Sequence, residues 1–206
     1  MSAEKMVKIA VFVSGGGTNL QALIDAERAG LITHGKISLV VSNQPNAYAI
    51  TRAENAGIPV IVIPGKGITQ EAFEEKLIAT LNEYEIDLIV LAGFMKILSQ
   101  SFTGRYPKRI LNVHPSLIPS FCGKGFYGLK VHEEALRYGV KVTGATVHFV
   151  NEIPDGGEII LQKAVTIRKG ETAESLQQRV MRQAEWIILP KAVELVSKEI
   201  CQKERK

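Results

Sequence analysis

The feature that most constrains this chain is an alternation. Short apolar runs of strand length, "VKIAVFV" at 7–13, "KISLVV" at 36–41, "PVIVI" at 59–63, "DLIVLA" at 87–92 and "RILNV" at 109–113, are separated by segments with helical spacing of their apolar residues. Leu20, Leu23 and Ile24 share one helical face, as do Phe73, Leu77, Leu81 and Tyr84. Gly30 and Gly57 stand where such helices should stop, because glycine takes the left-handed backbone of a helix end without a Cβ clash. Strands this apolar must be covered on both faces, so the pattern predicts an open, Rossmann-like parallel sheet with helices on either side. After about residue 113 the texture changes. A glycine-rich loop, "FCGKGFYG", leads to a short helix at about 129–138, then "KVTGATVHFV" and "GEIILQKAVTI" read as antiparallel strands, and a last helical segment spans about 173–203. Pro190 should kink or split that segment, since it has no N–H to donate.

A chain of 206 residues with 46% apolar types can bury one core, and no repeat or linker divides it, so the expectation is α/β and a single domain over 1–206. The formal charge of +4 comes from scattered basic residues whose only dense cluster is the terminal "KERK", which argues against a nucleic-acid partner. Two cysteines, Cys122 and Cys201, show no metal-type spacing to histidine; they argue against a disulfide framework or a metal site and fit a reducing, cytoplasmic setting. No run approaches the roughly 18 apolar residues of a membrane span, and the first run after Lys8 is shorter than a signal-peptide core.

In an open α/β sheet, ligands bind beyond the carboxyl ends of the strands, so the residues that follow strands carry the functional argument. The first strand ends in "SGGGTNLQAL". Glycines between a strand and a helix let backbone N–H groups approach an anion at the helix N-terminus, and a side chain at Gly17 would stand where backbone must meet oxygen. Thr18 and Asn19 add side-chain donors to what reads as a mononucleotide-type phosphate seat. The loop is neither a dinucleotide fingerprint, because Leu20 replaces the third glycine and no acid follows the second strand, nor a P-loop. The fourth strand runs into "AGFMKIL", either plain core or the wall of a pocket for a flat, largely apolar ligand.

The fifth strand ends in "LNVHPSLIPS". Residues two apart on a strand point the same way, so Asn112 and His114 project together, and Pro115 then stops the ladder. An Asn amide can donate to an oxyanion and a His can carry a proton between amines. Ser116 has no nucleophile elbow around it and Cys122 no supporting base. In "VHFVNEIPDGG", Asp155 is either a turn residue or a carboxylate returned to His114, where its charge would raise the imidazole pKa; His148 reads as a structural histidine.

Together "SGGGTNLQAL", "LAGFMKILS", "NVHPSLIPS" and "GATVHFVNEIPDGGEIILQ" resemble, in order and spacing, the folate-dependent glycinamide ribonucleotide formyltransferases, over nearly the whole chain. The resemblance implies a formyltransferase fold with a nucleotide-phosphate half at about 1–106 and a folate and catalytic half at about 107–206. It implies formyl transfer from 10-formyltetrahydrofolate, a consumed cosubstrate rather than a tightly bound cofactor, to the amine of 5'-phosphoribosylglycinamide in purine synthesis. On this likeness Gly17, Thr18 and Asn19 hold the phosphate, and Glu185 contacts the glycinamide substrate, although family members commonly have His where Trp186 follows it. Met95, Lys96, Ile97 and Leu98, with Asn151, Glu152, Ile153, Pro154 and Asp155, wrap the pterin, and Asn112, His114 and Asp155 form the catalytic trio. The trio alone is shared with formyltetrahydrofolate deformylases and methionyl-tRNA formyltransferases, whose extra domains this chain has no room for. A deformylase-like hydrolase, a non-catalytic nucleotide-binding module and, more remotely, an NAD-dependent oxidoreductase are the alternatives. The sequence leaves open whether the chain works as a homodimer.

Overall fold

Alternate residues of the first strand, β1 (Val7–Val13), serve two separate cores. Val7, Ile9, Val11 and Val13 belong to one apolar cluster, Ala10 and Phe12 to the other, as the two-residue period of a strand requires. The computed structural model describes residues 6–203, so all but Lys203 of the terminal basic cluster lies outside the described residues. After β1 come α1 (Thr18–Arg28), β2 (Gly35–Ser42), α2 (Tyr48–Asn55), β3 (Val60–Val62), α3 (Gln70–Glu83), β4 (Leu88–Leu91), α4 (Gln100–Thr103) and β5 (Ile110–His114). The chain continues with α5 (Leu129–Tyr138), β6 (Val142–Phe149), β7 (Ile159–Thr166), α6 (Ala173–Val180) and α7 (Trp186–Lys203). Leu20, Leu23 and Ile24 of α1 and Leu189 and Val193 of α7 fill the first core, while Phe73, Leu77 and Leu81 of α3 fill the second. Emptying either is costly: truncating the fully buried Phe12 to Ala removes on the order of 3–5 kcal/mol.

The seven strands form one sheet in the order β3-β2-β1-β4-β5-β6-β7. Strands β1 to β5 run parallel, and β6 and β7 are added antiparallel. Since β1 pairs with β2 on one side and β4 on the other, the winding reverses between β1 and β4, and the loops after these two strands flank the crevice such a reversal opens. They are tied at its base, where Met95 N–H donates to Ser14 Oγ at 2.8 Å. The antiparallel register of β5 and β6 sets Asn112 directly opposite His148 and His114 opposite Thr146. Among the described residues no helix is long and apolar enough to cross a membrane.

The last helical segment is interrupted, but not at Pro190. The break is a π-helical turn at Met181–Glu185, where Trp186 N–H reaches back five residues to the Met181 carbonyl; Pro190 lies buried inside α7. The missing proline N–H removes only the bond that would have gone to the Trp186 carbonyl, next to the widened turn, so one local defect accommodates both irregularities.

Helix α5 carries the fully buried His132, whose two ring nitrogens have no hydrogen-bond partner among the described residues. Desolvation, with a smaller contribution from His114, pushes its pKa down to about 4. Between that value and the ordinary one near 6.5 the unfolded chain binds a proton that the folded chain refuses, so stability falls as the medium is acidified through this range. The expected loss is about 3 kcal/mol. Urea unfolding of His132→Leu across the same range should show a pH dependence shallower by about that amount; an unchanged slope would remove His132 from the acid response.

Candidate active site

Four segments meet around one carboxylate at the carboxyl edge of the sheet. Asp155 has a left-handed backbone, φ +56°, which Asp tolerates better than most residues, and the loop that carries it folds tightly against the end of β6. The two glycines behind it are required by that packing. A Cβ at Gly157 would lie 1.7 Å from the Phe149 carbonyl oxygen, and one at Gly156 would strike Ile153 at 2.6 Å. Thus returned, Asp155 Oδ2 accepts from Gly123 N–H at 2.8 Å and lies 3.5 Å from His114 Nδ1, while Oδ1 lies 3.6 Å from His148 Nε2 and 3.4 Å from Asn112 Nδ2. Asn112 Nδ2 is also 3.2 Å from His148 Nε2. The other edge of the His114 ring, Nε2, meets the Phe121 carbonyl at 2.9 Å.

The carboxylate is 14% exposed. Burial would raise its pKa, but His148, His114 and the Gly123 N–H outweigh burial and hold Asp155 below the ordinary carboxylate range, so it is ionised at neutral pH. For His114 the balance goes the other way. Desolvation dominates over Asp155 and the Phe121 carbonyl, and the imidazole pKa is lowered. The Asp155 charge raises the imidazole pKa as expected, but burying the ring costs the imidazolium more than one carboxylate returns, so the net shift is downward. At neutral pH His114 is a neutral ring with an ionised acid at its side.

Asn112, His114 and Asp155 line a cavity of about 480 Å³ with Met95, Lys96 and Ile97 across from them and residues 123–128 as its rim. A smaller cleft of about 120 Å³ adjoins it, sharing Asn112 and Asp155 and adding His148, Asn151, Glu152 and Ile153. The "AGFMKIL" stretch is therefore a pocket wall rather than core: Met95 is 58% exposed and Ile97 64%. Ala92 is buried in the first core, and Leu98 turns into the second core while also bordering the smaller cleft. In the 151–155 loop, Asn151 Oδ1 accepts from Ile153 N–H at 2.9 Å, an Asx turn that leaves Glu152, Ile153 and Pro154 at the surface.

The glycine loop is built differently from the expectation. Gly17, with φ +71°, caps α1, and a Cβ there would lie 2.6 Å from the Ala49 Cβ of α2, so this glycine is demanded by helix packing. Gly15 and Gly16 are the open positions. Thr18 lines a shallow cleft with Arg52 and Trp186, and Arg52, which the sequence did not single out, donates Nε to the Gly16 carbonyl at 2.8 Å. The Asn19 amide points away from the loop and donates to Glu185 Oε2 at 2.8 Å, so only its backbone remains to serve an anion. Glu185 lines neither cavity around His114. Complete burial pushes its carboxyl up to about 7, with the Asn19 hydrogen bond opposing.

Sequence reasoning missed His148 as a direct neighbour of Asp155 and Asn112, though antiparallel pairing across the two strands could have suggested it. It also missed the Gly123 and Phe121 backbone contacts, for which no side-chain signal exists.

A carboxylate, two imidazoles and an amide at the mouth of a pocket on a doubly wound sheet define a group-transfer or hydrolytic centre, and the formyl transferase family model matches residues 7–193. The chain belongs to that family. It is 44% identical to the Haemophilus influenzae phosphoribosylglycinamide formyltransferase over 186 residues, 90% of this chain and 84% of that protein. It is 44% identical to the human trifunctional purine biosynthetic protein adenosine-3 over 94% of its own length, yet spans only 19% of that protein. The structure of glycinamide ribonucleotide transformylase 1 from Symbiobacterium toebii superposes with a TM-score of 0.87 at 40% identity, covering 94% of this chain and 89% of that one.

The reassigned Gly17 can be checked without any ligand. Gly17→Val should destabilise the protein by about 3 kcal/mol, from forcing a side chain into the left-handed region and against Ala49. Gly16→Ala should stay within about 0.5 kcal/mol. Denaturant midpoints of the two variants compare them directly, and equal stability would mean that α2 is not packed on the loop.

Proposed function

We propose that this chain transfers the formyl group of 10-formyltetrahydrofolate to the amine of 5'-phosphoribosylglycinamide, a step of purine synthesis. The observation that carries this reading is the Asn112, His114 and Asp155 set at the edge of the 480 Å³ cavity. Both substrates are small molecules and the folate is consumed. The apolar, exposed Met95 and Ile97 offer a face for the pterin, with residues 151–155 closing the other side, so the folate surface draws on both halves of the chain. The phosphate of the ribonucleotide goes to the backbone N–H groups at the start of α1, beside Gly15, Gly16 and the Arg52 guanidinium. Asn19 acts at one remove, holding Glu185, the expected glycinamide contact.

The amine attacks the formyl carbon and the carbonyl oxygen becomes an oxyanion, for which the Asn112 amide is a donor. The attacking nitrogen must lose a proton and the departing folate nitrogen must gain one. His114, neutral beforehand, takes the first proton and passes it to the folate nitrogen as the bond from that nitrogen to the formyl carbon breaks. The transient imidazolium is stabilised by Asp155 only between those two steps, which is where a charge accelerates the reaction.

The basic assay follows folate absorbance. Tetrahydrofolate should appear only when 10-formyltetrahydrofolate and glycinamide ribonucleotide are both present, whereas formate released without the amine would identify a hydrolase instead. Asp155→Asn keeps the acceptor for Gly123 but removes the charge, so kcat should fall on the order of 10²-fold. Because the carboxylate raises the His114 pKa against the burial that lowers it, the acid limb of the rate profile should move to lower pH in this variant. A near-normal kcat with an unmoved profile would reduce Asp155 to a turn residue.

A further inference from the structure

Phe94, against Phe12, and Leu98 anchor the pocket wall of residues 93–98 in the second core, but Met95 and Ile97 between them are left exposed. The rest of its support is polar, and most of it leads to one side chain outside the site. Glu74 of α3 is 5% exposed, yet it is a carboxylate. Its Oε1 accepts from Ser99 N–H at 2.7 Å and from Gln70 Nε2 at 2.6 Å, and its Oε2 accepts from Ser99 Oγ at 2.5 Å. The same Gln70 amide reaches the Ile97 carbonyl at 2.9 Å. Ser99 Oγ in turn accepts from Phe102 N–H at 3.2 Å, capping α4 directly after the wall. The neighbouring residue of α3, Phe73, receives the Lys96 ammonium 4.2 Å above its ring. The Glu74–Ser99, Gln70–Ile97 and Phe73–Lys96 contacts connect α3 to the segment between β4 and α4.

We propose that Glu74 is a positioning residue for the cosubstrate: its buried carboxylate, acting through Ser99 and Gln70, fixes the backbone of residues 93–98 at the distance from Asn112 that a flat ring system requires. This rests on the reading of that segment as the folate wall. A carboxylate suits the task better than an apolar side chain because it accepts all three donors at once, and charge-assisted bonds to a buried acceptor resist the small displacements that loosen an exposed loop. It touches no substrate, so its influence should appear in cosubstrate binding rather than in the chemical step.

Glu74→Met has similar length and no acceptor. In this variant the amides of residues 93–99 should exchange with deuterium about tenfold faster or more, while the buried face of α3 around Leu77 and Leu81 keeps its protection. The KM for 10-formyltetrahydrofolate should rise about tenfold, with the KM for the ribonucleotide and kcat within about twofold. Glu74→Gln retains one acceptor oxygen and offers its N–H to Ser99 Oγ, so it should restore both readouts to within about threefold of the parent. Protection of residues 93–99 unchanged in folded Glu74→Met would overturn the proposal. So would loss of protection spread evenly over α3 and β4, or equal rises in the two KM values. If Glu74→Met does not fold, Gln70→Leu, which cuts only the bridge to the Ile97 carbonyl, is judged by the same exchange criterion. Exchange needs no turnover, so absence of formyl transfer in the parent protein would refute the functional reading while exchange still decides the role of Glu74.

Discussion

Beyond β5 the structure is organised around the Asp155 carboxylate. The β5 end with Asn112 and His114 and the loop at Phe121 to Gly123 both approach the turn after β6, with which they have no regular pairing, because each presents a group that the anion on that turn attracts. Remove the carboxylate altogether and the Gly123 N–H, the His114 ring and the Asn112 amide lose the partner they share. The cost of burying the anion is met locally, since its pKa remains depressed in spite of desolvation. Placing Asp155 there depends in turn on backbone geometry: its own positive φ and the absence of a side chain at Gly157, over which the Phe149 carbonyl lies.

The fold was legible in the sequence because its signals are local and redundant. A seven-residue apolar run such as β1 can be read without knowing its neighbours, and α5 falls at 129–138 as its spacing predicts. The catalytic-type residues were legible for a different reason: Asn112 and His114 are two apart on one strand, so their common direction is fixed by covalent geometry. What could not be read depends on long-range placement. Whether Asn19 faces solvent or α7 is decided by the π-helical turn that swings Glu185 beneath it, 166 residues away in sequence. Whether Gly17 serves a ligand or a helix is decided by where α2 packs. The Asp155 contribution to the His114 pKa was legible but its net direction was not, because an adjacent charge can be inferred from a motif but depth of burial cannot.

Two other buried groups show the same arithmetic with opposite signs. Desolvation lowers the pKa of His132 and raises that of Glu185, so each is pushed toward its neutral form. In the folded protein His132 stays neutral until the pH falls to about 4 and Glu185 stays protonated until it rises to about 7. Relative to the unfolded chain the first costs stability as the pH falls from 6.5 and the second as it rises from 4.5, so the two slopes oppose each other between those values. Asp155 stands outside this pattern because, unlike these two, it has several donors and rings arranged to favour its ion.

Both walls of the main cavity are therefore secured by a carboxylate, and the two differ in what they leave free. Glu74 uses its oxygens on the backbone and side chains of its own scaffold and faces away from the reacting groups. Asp155 commits one short bond, to Gly123, and holds His114, His148 and Asn112 at 3.4 to 3.6 Å, distances at which charge is felt but no strong hydrogen bond is yet formed. A group already saturated by short bonds would stabilise the ground state as much as the transition state and accelerate nothing. The looser contacts around Asp155 can tighten when His114 gains a proton, so the interaction grows along the reaction, whereas the tight contacts around Glu74 keep the opposing wall still while that change takes place.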